Sequence, residues 1–149
     1  MVACLLVVLV AVALTARAFD QWLASYRSLQ EVAIRLVSLR TQGLEIGVYE
    51  VVLRVENGGE LPLALDDALV LLKWDQRLVA SLALHPEAVV IPSRSHQDFQ
   101  LVLESNLGRE LLPEAGEGDP GWSIRVTLAL RYPPQRRVFR ITLEGRTAP

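Results

Sequence analysis

The chain has 149 residues, of which 51% are hydrophobic and 21% are charged, and its formal net charge is -2. This length suits one ordinary domain with an attached segment, and the apolar content is sufficient for a packed core. The acidic balance argues against a nucleic-acid partner, because phosphate binding needs a clustered positive surface. With Cys4 as the single cysteine, the chain can form neither an intramolecular disulfide nor a cysteine-based metal cluster.

The N-terminal segment is strongly apolar. From Met1 to Ala16 no residue is charged, and Thr15 is the only polar one. This run is slightly shorter than the roughly 20 residues that cross a hydrocarbon core of ~30 Å, but extension to Phe19 closes the gap if Arg17 snorkels to the headgroups. The sequence therefore predicts one uncleaved transmembrane helix. The alternative is a cleaved signal peptide with an A-x-A site at residues 16–18, although a positive n-region is missing.

Four residues are predicted to lie at the membrane–water interface: Arg17, Phe19, Trp22 and Tyr26. Aromatic rings with an apolar body and a polar tip favour the headgroup level, so Trp22 and Tyr26 are expected to lie there. The three-to-four spacing of the apolar residues continues the helix to about Ser28. This stripe is interpreted either as a juxtamembrane stalk or as a docking face for a partner's transmembrane helix.

From residue 31 the hydrophobic period changes to two, which is typical of strands with one buried face. The pattern is clearest from Trp122 to Tyr132, where six apolar residues share one face. Seven to eight strands are predicted, with candidates at residues 31–40, 48–56, 68–74, 77–84, 88–92, 98–105, 122–132 and 138–145. Such short, regularly spaced strands favour an all-β fold, an antiparallel sandwich. The predicted organisation is a membrane anchor with a juxtamembrane helix at 1–29 and a β-sandwich at 30–149.

One segment, residues 111–122, is rich in Gly, Pro and acidic residues and is predicted to be a surface loop. Its carboxylates, Glu114, Glu117 and Asp119, are candidate calcium ligands. They lack the regular Asp/Asn spacing of a calcium-binding loop, so a solvated loop is the preferred interpretation.

Residue types that carry catalysis are sparse. His85 and His96 lie beside turns with no cysteine near them to complete a zinc site, and both are predicted to be surface histidines. Residues 93–96 contain serine and histidine but no nucleophile elbow. Asp66 and Asp67 are neighbours on a strand, so they should point to opposite faces at a solvated strand start. The sequence therefore predicts no enzymatic activity, no cofactor and no metal.

The strand region resembles the water stress and hypersensitive response domain of the second group of late embryogenesis abundant proteins. The matching features are, in order, the break at Gly43-Leu44, a long strand ending at Asn57, Leu-Pro-Leu at 61–63, a strand pair through Trp74 and Val79, and Ile-Pro-x-x-Ser at 91–95. The resemblance covers roughly residues 31–145. It departs from the family pattern at Gly58, where the family often has proline, although Asn-Gly is itself a strong turn former.

The resemblance implies a small sandwich of the immunoglobulin or fibronectin type, often carried outside the cytoplasm on an N-terminal membrane anchor. It also implies a link to desiccation and stress protection, without catalysis, a cofactor or active-site residues. The positive-inside rule taken literally would instead place the sandwich in the cytoplasm, because Arg17 and Arg27 follow the apolar run. The family resemblance nevertheless favours an extracytoplasmic sandwich.

The predicted function is a non-enzymatic, single-pass membrane protein whose sandwich acts by binding or by stress protection at the membrane surface. The alternative is an accessory structural subunit of a larger membrane complex, with its helix packed on partner transmembrane helices. The expected partners are the lipid bilayer and, in the alternative, other membrane subunits. Neither nucleic acid nor a small-molecule substrate is expected.

Overall fold

The structure, a computed structural model, describes residues 2–41, 47–86, 89–105, 107, 121–133 and 138–146, with the side chains of the helix described from Leu9 onward. Within these residues one helix precedes eight strands. The helix α1 spans Val2–Gln30, and the strands are β1 Val32–Thr41, β2 Val48–Asn57, β3 Leu63–Trp74, β4 Arg77–Leu84, β5 Val89–Ile91, β6 Ser95–Glu104, β7 Trp122–Arg131 and β8 Val138–Arg146.

Helix α1 extends two residues beyond the predicted end at Ser28 and stops at Gln30. Neither Gly nor Pro interrupts it, and Leu and Ala, which favour helix, recur along its length. Strand β1 begins at Val32, so Glu31 alone connects the helix to the first strand.

The strands form two antiparallel sheets, as the sequence predicted. One sheet has three strands in the order β1-β2-β6, and the other has five, in the order β4-β3-β7-β8 with β5 also paired to β3. The aromatic rings of Tyr49 on β2 and Trp122 on β7 pack against each other with their centroids 5.2 Å apart, which joins the two sheets. The architecture is a β-sandwich of eight strands.

The side chains predicted to face inward form the core. Those on β7 are no more than 1% exposed: Trp122, Ile124, Val126, Leu128 and Leu130, followed by Tyr132 just beyond the strand. Strand β7 lies between β3 and β8, so its inward side chains are at the middle of the sheet, where the opposite sheet covers them. The inward residues of the edge strand β8, namely Phe139, Ile141 and Leu143, are only partly buried.

Two strands depart from simple alternation. In β1 the register with β2 shifts between Leu36 and Ser38, which leaves Val37 49% exposed and Leu39 buried. Such a bulge places two residues of one strand opposite one residue of the partner. Strand β3 starts at Leu63, five residues before the predicted start, because Leu63 pairs with Ile91 of β5.

Several predicted features lie outside the described residues. They are the Gly43-Leu44 break and residues 111–120 of the predicted surface loop, with its candidate calcium ligands Glu114, Glu117 and Asp119.

Candidate functional site on the N-terminal helix

Apolar side chains along α1 are exposed. All described side chains from Leu9 to Trp22 are exposed, including Leu9 at 60%, Val12 at 60% and Leu14 at 64%. In a soluble protein a surface helix usually hides one apolar stripe against the core, whereas this helix shows apolar residues to the surroundings on all sides. Large exposed apolar surfaces are typical of sites that interact with membranes or with other proteins.

The polar side chain within this apolar run is satisfied by the helix itself. The hydroxyl of Thr15 donates to the carbonyl oxygen of Ala11 at 2.5 Å and is 3.1 Å from that of Val12. Hydrogen bonding to the preceding turn removes the cost of placing a hydroxyl group in apolar surroundings. The side chain of Thr15 therefore does not oppose burial of this part of the helix.

The three predicted interface aromatics form one continuous ladder. The rings of Phe19 and Trp22 stack with centroids 6.0 Å apart, and those of Trp22 and Tyr26 stack at 5.7 Å. All three are exposed, at 58%, 41% and 50% respectively. With 3.6 residues per turn, the ladder occupies one face of the helix and Arg17 lies on roughly the opposite face. The structure thus brings the aromatic residues together and separates Arg17 from them.

Over the part of the chain that the structure describes, no helix has the combined length and apolar character needed to cross a membrane.

The predicted surface histidines are exposed, and one is paired. The imidazole of His85 lies 2.6 Å from the carboxylate of Asp67, and both side chains are largely exposed. His96 is the second residue of β6 and is also exposed. Within the described residues, no group of three His, Cys, Asp or Glu side chains is arranged to hold a metal ion.

The neighbouring carboxylates do diverge, as predicted, although they lie inside β3 and not at a solvated strand start. Their register with β7 shifts between Leu65 and Asp67, which places Asp66 in a bulge. The guanidinium of Arg131 donates to Asp66 at 3.0 Å, while Asp67 faces His85. The pKa of Arg131 is raised, first by this hydrogen bond and then by the charge of Asp66. Each carboxylate is thus held by a different partner.

A similar pair crosses the outer face of the smaller sheet. The guanidinium of Arg54 donates two hydrogen bonds to the carboxylate of Asp98, at 2.7 and 2.8 Å. These bonds lower the pKa of Asp98, although its partial burial acts in the other direction. Bidentate pairs of this kind fix the geometry of neighbouring strands.

Sequence reasoning missed the polar centre beside the helix. Asn57 ends β2 and is 1% exposed. Its side-chain amide is within hydrogen-bonding distance of three carbonyl oxygens, at 2.9 Å from Leu61, 3.0 Å from Pro92 and 3.2 Å from Ile91. The sequence did contain a sign of this centre, because Asn57 ends an alternating strand just before Gly58-Gly59. An asparagine in such a position often bonds to local backbone groups.

A shallow cleft lies between the end of α1 and the sandwich. Its volume is about 370 Å³, and it is lined by Ala24, Arg27, Ser28, Glu31, Gly58, Glu60, Leu61 and Arg94. The ion pair between Arg94 and Glu60 at its rim has a separation of 3.1 Å and is largely exposed. Exposed pairs of this kind contribute little to stability.

Comparisons with known proteins give only distant similarity. No family model matches the sequence, and no curated protein matches it. A candidate late embryogenesis abundant protein, solved in solution, is 13% identical with a TM-score of 0.48, over 92% of this chain and 80% of that one. A protein from Archaeoglobus fulgidus is 12% identical with a TM-score of 0.43, over 76% and 95% of the two chains. A structural genomics target is 12% identical with a TM-score of 0.45, over 80% and 84%. Similarity this low supports no inference about function.

Proposed function

We propose that this protein is a non-catalytic β-sandwich that α1 holds at a membrane surface, where the sandwich acts by binding or by stress protection. The proposal rests on one observation, the exposure of the apolar side chains of α1 from Leu9 onward. Burying a Leu or Val side chain that was fully exposed to water contributes roughly 1.5–3 kcal/mol. The four exposed aliphatic side chains Leu9, Val10, Val12 and Leu14 therefore supply on the order of 5 kcal/mol on entering lipid, after discounting for their partial exposure.

The aromatic ladder supports attachment at the level of the headgroups. Phe19, Trp22 and Tyr26 follow the aliphatic part of α1 and precede the sandwich. Aromatic side chains are enriched at membrane–water interfaces, so this order suits a helix that enters the bilayer with the sandwich outside the lipid.

The sandwich supports binding more than catalysis. Several of its titratable side chains are used in cross-strand pairs, among them Asp66 with Arg131 and Arg54 with Asp98. The strand order, β1-β2-β6 against β4-β3-β7-β8, supports a fibronectin-like sandwich. The sequence resemblance to the water stress domain supports the protective role and an extracytoplasmic location.

The aromatic ladder also favours a second function. A row of exposed, stacked rings on one helix face suits packing against a partner's helix as well as it suits lipid. In that case the protein is an accessory subunit of a membrane complex, and the sandwich covers part of the assembly.

Membrane attachment is tested with the full-length chain and two matched pairs of substitutions. Val10→Glu with Leu14→Glu places charges on α1, where the native side chains are 50% and 64% exposed. Val90→Glu with Val102→Glu places the same charges on the sandwich, where the native side chains are 51% and 52% exposed. Flotation with phospholipid vesicles should recover the wild type and the sandwich variant with the lipid. The helix variant should stay in the soluble fraction, because a carboxylate opposes entry into hydrocarbon.

Equal recovery of both variants with lipid, or a wild type that stays soluble, would contradict the proposal. Extraction in mild detergent followed by sizing then separates the two candidate functions. A lone chain in a detergent micelle supports the anchored sandwich, whereas a stable larger species with other subunits supports the accessory role.

A further inference from the structure

The C-terminal end of α1 packs directly on the sandwich. Ser25 is fully buried and Ser28 is 5% exposed, in contrast to the exposed residues earlier in the helix. Leu29 is partly buried against the hydrophobic core. The small serine side chains allow the helix to approach the sandwich closely, and the last turn and a half of α1 is therefore part of the packed domain.

The connection from helix to strand has almost no freedom. The amide of Glu31 donates to the carbonyl of Ser28 at 3.2 Å, which closes the helix end. The next residue, Val32, already pairs with Asn57 in the β1–β2 ladder. The carbonyl of Glu31 accepts a hydrogen bond from the amide of Gly58 at 3.0 Å. A one-residue connection with both backbone groups bonded cannot act as a flexible linker.

The turn that follows β2 contacts the end of α1 through two glycines, Gly58 and Gly59. A Cβ added at Gly59 would lie 2.7 Å from the Cβ of Ser28, and one added at Gly58 would lie 2.9 Å from the carbonyl oxygen of Glu31. Both separations are shorter than any normal van der Waals contact. Only glycine at these positions lets the turn reach the helix without displacing it.

The turn that touches the helix is itself fixed from the other side. The amide of Gly59 donates to the side-chain oxygen of Asn57 at 3.2 Å, and the carbonyl of Gly59 accepts from the amide of Arg94 at 3.1 Å. The side chain of Asn57 bonds in turn to the carbonyl groups before β3 and after β5. The contact with the helix is therefore tied to strands of both sheets.

From these contacts we propose that α1 and the β-sandwich form one rigid body, coupled through a joint made of Ser28, Glu31, Asn57, Gly58 and Gly59. The direction of the helix then sets the orientation of the sandwich, and every copy presents the same surface at the same angle. This inference concerns contacts within the chain, so it holds whether α1 enters a bilayer or packs on partner helices. Helix α1 is a stiff stalk and not a tether.

The test measures distances between two spin labels in the full-length chain in detergent. With Cys4→Ser as background, labels at Ala13→Cys on the helix and Gln97→Cys on β6 report the angle between helix and sandwich. We expect one narrow distance distribution. Gly59→Val should shift or broaden it, because the new side chain collides with Ser28. Three glycines inserted after Glu31 should make it several times broader.

The matched control is Gly121→Val, whose Cβ would lie 2.9 Å from Nε1 of Trp74, at the opposite end of β3 from the joint. It should keep the narrow distribution. A broad distribution with the native joint would overturn the proposal, as would a narrow one after the glycine insertion. The insertion decides the question even if Gly59→Val fails to fold. Vesicle flotation of the insertion variant should be unchanged, which separates this inference from membrane attachment.

Discussion

At the scale of single residues, Asn57 does the most to hold the turns next to the helix. Its side-chain amide has two N–H groups and three carbonyl oxygens within 3.2 Å, while its side-chain oxygen accepts from the amide of Gly59. Because the residue is buried, water cannot replace these bonds. One asparagine therefore satisfies backbone groups from two separate segments, residues 59–61 and residues 91–92.

Replacement of Asn57 is expected to be strongly destabilising. A buried polar group left unpaired costs about 1–3 kcal/mol, so Asn57→Ala should lower the free energy of unfolding by about 3 kcal/mol or more. Asn57→Asp should be worse, because a carboxylate has no N–H to donate and faces three carbonyl oxygens. Urea unfolding measures both effects. Gln100→Ala, on the outward face of β6, is the control, and a loss no larger than that of the control would contradict this role for Asn57.

Tyr132 is buried together with its polar hydroxyl group. It is 1% exposed, and its hydroxyl has no hydrogen-bond partner within the described part of the chain. Burial, with a smaller effect from the charge of Glu31, raises the pKa of Tyr132 to about 12. The neutral phenol is thus the form that fits the folded state.

This raised pKa predicts a pH dependence at the alkaline end. The folded-state pKa lies above the unfolded value of about 10, so the contribution of Tyr132 to stability is fully present below pH 10 and is lost as the pH rises through about 12. Urea unfolding should show that the free energy of unfolding of the wild type falls more steeply over this pH interval than that of Tyr132→Phe. At neutral pH the variant should be at least as stable, because it removes an unpaired hydroxyl. Parallel pH profiles for the two proteins would refute this.

At the scale of elements, the β3–β4 hairpin carries backbone strain in its turn. Trp74 pairs with Arg77, and the two residues between them have positive φ, 45° at Asp75 and 70° at Gln76. Positive φ at both loop positions is the geometry of a type I′ turn, which matches strand twist but favours Asn-Gly. The turn geometry suits the hairpin, but Gln76 is not a residue type that favours positive φ.

Gln76→Gly is therefore expected to stabilise the protein. Relief of the left-handed conformation is worth about 1–2 kcal/mol, and the greater freedom of glycine in the unfolded chain offsets roughly half of this gain. The thermal midpoint should rise. Gln100→Gly, the same substitution in the extended strand β6, should lower it, because glycine weakens a strand interior. A fall in the midpoint for Gln76→Gly would show that the turn is not strained.

At the scale of the whole molecule, the sandwich limits its own open edges whereas the helix exposes apolar surface. The edge strands β4 and β6 meet at an isolated bridge between Ala80 and Ser105, and the hydroxyl of Ser105 donates to the carbonyl of Val79 at 3.0 Å. On the other side Gly145 of β8 lies close to Ile34 of β1. Edges that approach each other are less available to other chains. In the proposed function, the exposed part of α1 is the surface that lipid or a partner helix covers.

Much of the fold follows from local patterns in the sequence. The alternation from Trp122 to Tyr132 predicted a buried face that the structure confirms residue by residue, and the uninterrupted apolar start predicted the helix. The aromatic ladder was also predictable, because residues three and four apart lie on one helix face. These features depend on near neighbours, which is why periodicity is sufficient to find them.

Other features were decided only by the tertiary structure. The side chain of Asn57 meets Pro92, which lies 35 residues away along the chain, and Arg131 meets Asp66 across 65 residues. The early start of β3 follows from its pairing with β5, and the rigid joint follows from the contact between Ser28 and Gly59. Periodicity states which face of a strand is buried but not which distant segment covers it, since pairing is selected by the combined packing of the whole core.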